Sequence, residues 1–385
     1  MLKKIENWFD DIFEAVKTVP QGVYQYQAPE DAPAPYKLHL RIEDDGSGIL
    51  IINASTVLHL NRTAAEYAYH LVKGKTKEEI TAIVAERYDV SPGQTQEDLD
   101  EFLDKVDRLV QTEDLDPVAY LDVDRVAPYS KKITAPYRLD CAVTYRVREA
   151  DSKAAPTDRV SRELSTDEWK QAMRKAWEAG IPHINFTGGE PTLREDLPEL
   201  VAEAEELGLV CGILTDGLSF TKKRYLQSLL QAGLDHILMV AQPENKDFWK
   251  ALRNVMPEDI AVTVHATMTA ENKDKFTDIL EKLAKEDVAS ISMSAETEAL
   301  SGTLEAASAR AAELGMTQVW DLPVPYSSLH PVALELKKGE KDVPEGAGKA
   351  WLYLEPDGDV LPAQGVNKVL GNMLADPFEK IWKRR

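Results

Sequence analysis

From Arg138 onward, short apolar runs alternate with longer amphipathic ones, and that alternation restricts the chain to folds built from parallel β/α units. The runs RLDCAVTYR, HINFTGG, VCGILTDG, HILMVAQ, AVTVHATM and SISMSA read as strands. The segments TDEWKQAMRKAWEAG, EDLPELVAEAEELG, TKKRYLQSLLQAG, NKDFWKALRN, NKDKFTDILEKLAKE and TLEAASARAAELG separate or follow them and read as helices. Several of these helices close on a glycine (Gly180, Gly208, Gly233, Gly315), the residue that most easily takes the left-handed conformation at a helix end. The expected fold class is therefore α/β, with a partial (β/α)6 barrel of the TIM type over residues 130–325.

Successive side chains of a strand point to opposite faces, so a strand of alternating polarity reports on the barrel interior. Thr263, His265 and Thr267 alternate with Val262, Val264, Ala266 and Met268. Ser290, Ser292 and Ser294 alternate with Ile291 and Met293, and Asn185 and Thr187 with Ile184 and Phe186. A closed barrel fills its centre with branched apolar side chains, so this pattern predicts an open barrel with a wet, polar lumen of ligand size. The plainer alternative is that these hydroxyls satisfy one another or bind water.

Ahead of the barrel, Leu2, Ile5, Phe9, Ile12, Phe13 and Val16 mark an amphipathic helix within residues 1–22. Its acids Asp10, Asp11 and Glu14 suit packing on the protein itself better than an anionic lipid surface. The proline-rich stretch QAPEDAPAP links it to residues 36–115. There YKLHLRI and GILIINA form a hairpin across EDDGSG, and three helices follow, the second opened by Thr76 with Glu79 three residues on. This order of elements predicts a small α+β domain. Residues 326–385 form a short C-terminal extension, a strand–turn–strand on Pro356, Asp357 and Gly358 and then a short helix.

A chain of 385 residues with these composition shifts holds two or three domains. Its formal net charge of −21 repels phosphate backbones, which excludes nucleic acid as a partner. No apolar run approaches the roughly 20 residues of a membrane span, and the charged N-terminus is unlike a secretory signal, so a cytoplasmic location is expected. Only two cysteines occur, Cys141 and Cys211, which excludes a disulfide framework and any metal centre needing three or four thiolates.

The strongest local signal is HINFTGGEPTLREDLPEL, a strand that runs into Gly188, Gly189, Glu190 and Pro191 and then into a helix. Two glycines at the carboxyl end of a strand allow a ligand to approach the backbone closely. The string resembles the GGEP motif of radical SAM enzymes, and the likeness runs from about Pro136 to Gly315. It implies that Thr187, Gly188, Gly189, Glu190, Pro191, Thr215 and Ser292 contact S-adenosylmethionine. In that family the loop after the first strand carries CxxxCxxC, whose thiolates hold a [4Fe–4S] cluster. Aligned on TYR, those positions are Val147, Asp151 and Ala154, none of which can replace a thiolate, so no cluster is expected.

The tail EPDGDVLPAQGVNKVLGN is similar to the SPASM or twitch-type extension of the same enzymes, with Ala363 where a cysteine commonly stands. The run ILIINASTVLHLNRTAAEYAYHLVKGKTKEEI resembles the PqqD-like peptide-recognition domain, which implies a winged-helix-like fold and a peptide or protein partner held through residues 36–115. A small docking domain that packs on the barrel is the plainer reading of the same residues. Together these likenesses suggest a degenerate radical SAM protein in peptide modification. One alternative is an enzyme of non-radical chemistry using His265 as acid or base, with Glu190 or Asp216 nearby. Another is a self-assembling scaffold.

Overall fold

The computed structural model describes residues 18–29, 36–53, 56–111, 133–148, 160–319 and 346–384. The N-terminal helix expected over residues 2–17, the former cluster positions Asp151 and Ala154, and the stretches 112–132 and 320–345 lie outside them. The chain divides into two compact units, residues 1–134 and 135–385.

The first unit opens with an antiparallel sheet in the order β1-β2-β3-β4: β1 (Gly22–Gln27), β2 (Lys37–Ile42), β3 (Gly48–Ile52) and β4 (Thr56–Leu60). The expected β2–β3 hairpin is present, its turn passing through Gly46 at φ 82°. The sequence reading missed β1 and β4, which extend the hairpin on its two sides. Helices α1 (Arg62–Val72), α2 (Lys77–Tyr88) and α3 (Pro92–Gln111) follow. Thr76 and Glu79 form the reciprocal cap foreseen for α2, so two otherwise orphaned amides are satisfied at its start. Leu38, Leu40, Ile42, Leu50 and Ile52 meet Ala65, Ala68, Val72, Val106 and Leu109 in one buried cluster. That apolar contact, rather than intrinsic propensity, holds short helices to a small sheet.

The second unit is a mixed sheet ordered β11-β10-β9-β8-β7-β6-β5-β12-β13-β14. Its parallel strands are β5 (Arg138–Thr144), β6 (His183–Gly188), β7 (Val210–Thr215), β8 (His236–Val240), β9 (Ala261–Met268) and β10 (Ser290–Ala295). Helices α4 (Thr166–Glu178), α5 (Leu197–Glu206), α6 (Lys223–Gln231), α7 (Lys246–Val255) and α8 (Phe276–Lys285) connect them in turn, and α9 (Ser301–Glu313) leads to β11 (Thr317–Gln318). Each presents an apolar face that includes Trp169, Leu200, Leu226, Phe248 or Leu280, all buried. The fold is thus α/β with a parallel sheet, as the alternation predicted. The C-terminal strands β12 (Trp351–Leu354), β13 (Asp359–Leu361) and β14 (Gly371–Asn372) precede α10 (Phe378–Lys383). They are continuous with the barrel sheet, because β12 lies parallel to β5, with Trp351 opposite Arg138.

The interior is less polar than expected. Register pairs Ala142 with Thr187 and Leu214 with Leu238, and Leu238 in turn with Thr263. Leu214, Leu238 and Val240 form a buried apolar cluster on that face. The polar alternation of β6, β9 and β10 had been extended to the whole sheet, whereas β7 and β8 supply leucine and valine at the same level.

Candidate functional site

The GGEP segment closes the end of β6 against the end of β5. Gly188 holds φ at 123°, and a Cβ there would lie 2.1 Å from the Thr144 carbonyl oxygen. A Cβ on Gly189 would lie 2.2 Å from that of Arg146. The Gly189 amide donates to Thr144 O at 2.8 Å and the Glu190 amide to Arg146 O at 2.7 Å. Both amides are spent on the chain itself, and glycine is required because backbone packs on backbone.

Glu190 is buried and accepts hydrogen bonds from the Thr192 amide at 2.9 Å, the Thr215 hydroxyl at 2.8 Å and the Asp216 amide at 2.7 Å, with the Thr192 hydroxyl also in contact. Arg148 binds Asp216 through Nε at 2.6 Å, while its Nη2 donates to Thr192 and Ser219 and lies 4.0 Å from Glu190. Gln242 donates to the Asp216 carbonyl at 3.2 Å. Four loops at the carboxyl ends of the strands thereby converge on two carboxylates and one guanidinium, the end of an α/β sheet at which ligands bind.

Burial, and then the neighbouring Asp216 charge, push the Glu190 carboxyl up to about 8, against the hydrogen bonds from Thr192 and the Asp216 amide and the charge of Arg148. The unfolded carboxyl titrates near 4.5. Between those pH values the native protein keeps a proton that the unfolded chain has released, so rising pH lowers stability across that window and has no effect through this group outside it. Glu190→Gln removes the contribution. Urea unfolding should show the variant gaining on wild type by on the order of 2–4 kcal/mol between pH 4.5 and pH 8, on top of a pH-independent offset. A difference constant across that range would contradict the assignment.

Thr187, one step before the glycines, is fully buried, and its hydroxyl has no hydrogen-bond partner among the described residues. The same holds for Asn185 Oδ1, on the same face of β6. Such orphans are costly in a finished core, and a polar ligand or water in the lumen would relieve them. Pro191 starts a short 3-10 turn that Glu190 caps. Ser292 lies on β10 opposite His265, away from the GGEP network, and its hydroxyl is 3.0 Å from His265 Nδ1. The structure therefore brings Glu190, Pro191, Thr215 and Asp216 together and sets His265 and Ser292 in a second cluster. Ser292, Ser294 and Thr267 lie within hydrogen-bond reach of the imidazole, whereas Thr192, Thr215 and the Asp216 amide serve Glu190.

Arg148, Thr192, Ser219 and Gln242 belong to the first network and were not foreseen. Arg194 was also missed. It is buried and grips Asp196 with Nε at 2.9 Å and Nη2 at 2.6 Å, while Nη1 donates to the carbonyls of Val143 and Leu164 at 3.1 Å each. A fork of donors satisfying a carboxylate and two carbonyls is a role only arginine fills.

Cys141 is fully buried within β5, and burial with the nearby Asp140 charge raises its thiol well above the ordinary range, disfavouring the thiolate that iron needs. Cys211 is fully buried within β7, separated from β5 by β6. Val147 lies just after β5 and Ala363 just after β13, and neither offers a donor. These residues do not fit a cluster.

Residues 141–266 match the radical SAM superfamily, and residues 48–109 match coenzyme PQQ synthesis protein D. The PqqA peptide cyclase of Bradyrhizobium diazoefficiens is 33% identical over 144 residues, 34% of this chain and 38% of that protein. That of Rhizobium meliloti is 27% identical over 255 residues, 57% of this chain and 65% of that protein. The matches thus span less than two-thirds of these relatives. Among solved structures, Streptococcus suis SuiB bound to S-adenosylmethionine superposes with a TM-score of 0.56 at 15% identity, covering 93% of this chain and 88% of SuiB. SuiB bound to precursor peptide SuiA gives 0.56 at 14% identity, covering 95% and 88%. The shared fold is that of the partial barrel.

Proposed function

We propose that this chain is a radical-SAM-fold protein of peptide modification that works without an iron–sulfur cluster, capturing a peptide through its N-terminal unit and keeping a polar-ligand site at the end of β6. The carrying observation is the donor set: two thiols, both buried within separate strands, where a cluster needs several grouped thiolates. Without cluster iron there is no electron to cleave the sulfonium of S-adenosylmethionine, so radical generation is absent. The orphaned Thr187 hydroxyl and the Glu190–Asp216–Arg148 network support S-adenosylmethionine or another polar molecule as the ligand, contacted by Thr187, Gly188, Gly189, Glu190, Pro191 and Thr215.

In the N-terminal unit β4 is a terminal strand of its sheet, which suits an extended peptide added as a further strand. The peptide named in the SuiB complex and the peptide cyclase relatives favour the same partner class. No described helix is long and apolar enough to cross a membrane.

Anaerobic reconstitution with iron and sulfide tests the central claim. The protein should show no thiolate-to-iron absorbance, and reduction in the presence of S-adenosylmethionine should yield no 5′-deoxyadenosine. A brown product that cleaves the sulfonium would overturn the reading. Calorimetric titration with S-adenosylmethionine then tests the pocket, with sub-millimolar binding expected and no heat counting against it.

A further inference from the structure

His265 is a buried imidazole at the middle of β9, flanked across the ladder by Ser292 and, one pleat further toward the carboxyl end, by Ser294 opposite Thr267. Ser292 Oγ lies 3.0 Å from Nδ1 and Ser294 Oγ 3.0 Å from Nε2. A neutral imidazole carries one N–H and one lone pair, so one serine accepts from the ring while the other donates to it. Ser292 is buried, whereas Ser294 is half-buried and nearer the open end of the strands. With Nδ1–H donated to Ser292, the lone pair on Nε2 faces the Ser294 hydroxyl. A nucleophile, its base and a group orienting that base are then in line.

Two further features concern Thr267, beside this line. The Thr267 hydroxyl lies 3.4 Å from Ser294 Oγ and 3.3 Å from His265 Nε2. Of these four residues Thr267 alone lines a cleft of about 900 Å³ at the carboxyl ends of β8 and β9, walled by Trp249, Phe276 and Ile279 and edged by Asn272 and Glu296, so the cleft borders Ser294 through Thr267. A cleft of that size with apolar walls and a few polar groups suits a small organic molecule.

We propose that Ser294, His265 and Ser292 form an acyl-transfer site for small carboxylic esters with an apolar acyl or alcohol part. The Ser294 oxygen adds to the ester carbonyl carbon while its proton passes to His265 Nε2, and the Thr267 hydroxyl donates to the resulting oxyanion. The tetrahedral adduct collapses by breaking the ester C–O bond, and the departing alkoxide takes the proton back from Nε2. Water, deprotonated by the same nitrogen, then adds to the acyl carbon; the bond to Ser294 Oγ breaks, Nε2 returns the proton to that oxygen, and a carboxylic acid leaves. Ser292 is a positioning residue, fixing the tautomer. This activity is independent of the peptide-modification reading.

The test is reaction of the full-length protein with a fluorophosphonate probe, which labels only activated serines, followed by mapping of the modified peptide, with hydrolysis of p-nitrophenyl butyrate measured in parallel. Ser294 should be the labelled residue, and Ser294→Ala should abolish both signals. His265→Gln, which keeps side-chain hydrogen bonding, should slow labelling roughly 100-fold or more. Ser292→Ala should reduce the rate and leave Ser294 the site of modification. The proposal is overturned if the folded wild type is unlabelled at Ser294, or labelled there no faster than at other serines. It is equally overturned if His265→Gln, with an unchanged circular dichroism spectrum, labels at the wild-type rate.

Discussion

Gly188→Val should abolish native folding of the second unit at 37 °C. The added Cβ would stand 2.1 Å from a backbone oxygen, and φ at 123° is foreign to a branched residue. Overpacking costs roughly 1–3 kcal/mol and a strained backbone of this kind roughly 1–3 more, with no flexible side chain available to yield. Together these reach about 2–6 kcal/mol or more, given an overlap with backbone that cannot yield, which matches the total stability of a domain at the low end of about 5–15 kcal/mol. Soluble yield and the urea midpoint check it. Gly302→Ala is the control, since nothing lies within 4 Å of a Cβ there, and in helix α9 alanine should be tolerated or stabilising by up to about 1 kcal/mol. A well-folded Gly188→Val protein would mean that β5 and β6 do not approach as described.

Arg194→Leu should be the most damaging change to a side chain near the candidate site. It strands the part-buried Asp196 carboxylate and the Val143 and Leu164 carbonyls. Breaking a fully buried pair costs about 3–5 kcal/mol; Asp196 keeps some water and the Thr166 hydroxyl, so the loss here should be about 3 kcal/mol or less, shared with the two stranded carbonyls. Arg194 holds the Asp196 carboxyl below its usual range, countering the upward pull of burial, and that depression should vanish in the variant. The lower urea midpoint should therefore be partly recovered by Asp196→Asn in the Arg194→Leu background. Arg162→Leu, which breaks an ion pair to Glu168 in the open, should leave the midpoint almost unmoved. Equal effects from the two arginine variants would contradict the burial argument.

The six strands of the barrel were readable because each lies between helices of different period, so its borders are marked twice. β1 and β4 carried no such contrast. TVLHL follows the GILII run after only Asn53, Ala54 and Ser55, and the two merge into one apolar stretch unless the turn through Asn53 at φ 49° is recognised. The polar lumen was inferred from the strands where alternation is clean. Leu214, Leu238 and Val240 were hidden because β7 and β8 are apolar on both faces and show no alternation.

For the site, local spacing revealed GGEP and its neighbours but not their partners. Arg148, Thr215 and Ser219 reach Glu190 or Thr192 from elements 25 or more residues away along the chain. Such contacts exist only after the sheet orders its strands. The pairing of His265 with Ser292 likewise depends on the register of β9 against β10, which no single-strand pattern specifies.

The parallel pairing of β12 with β5 has a consequence for biosynthesis. The first barrel strand to leave the ribosome has its outer hydrogen-bonding edge covered by residues 351–354, more than 200 positions later. Until residues 351–354 emerge, that edge of the nascent chain is an open template for other strands. Stalled translation products that end before Trp351 should consequently depend on chaperones more than chains that include β12 do.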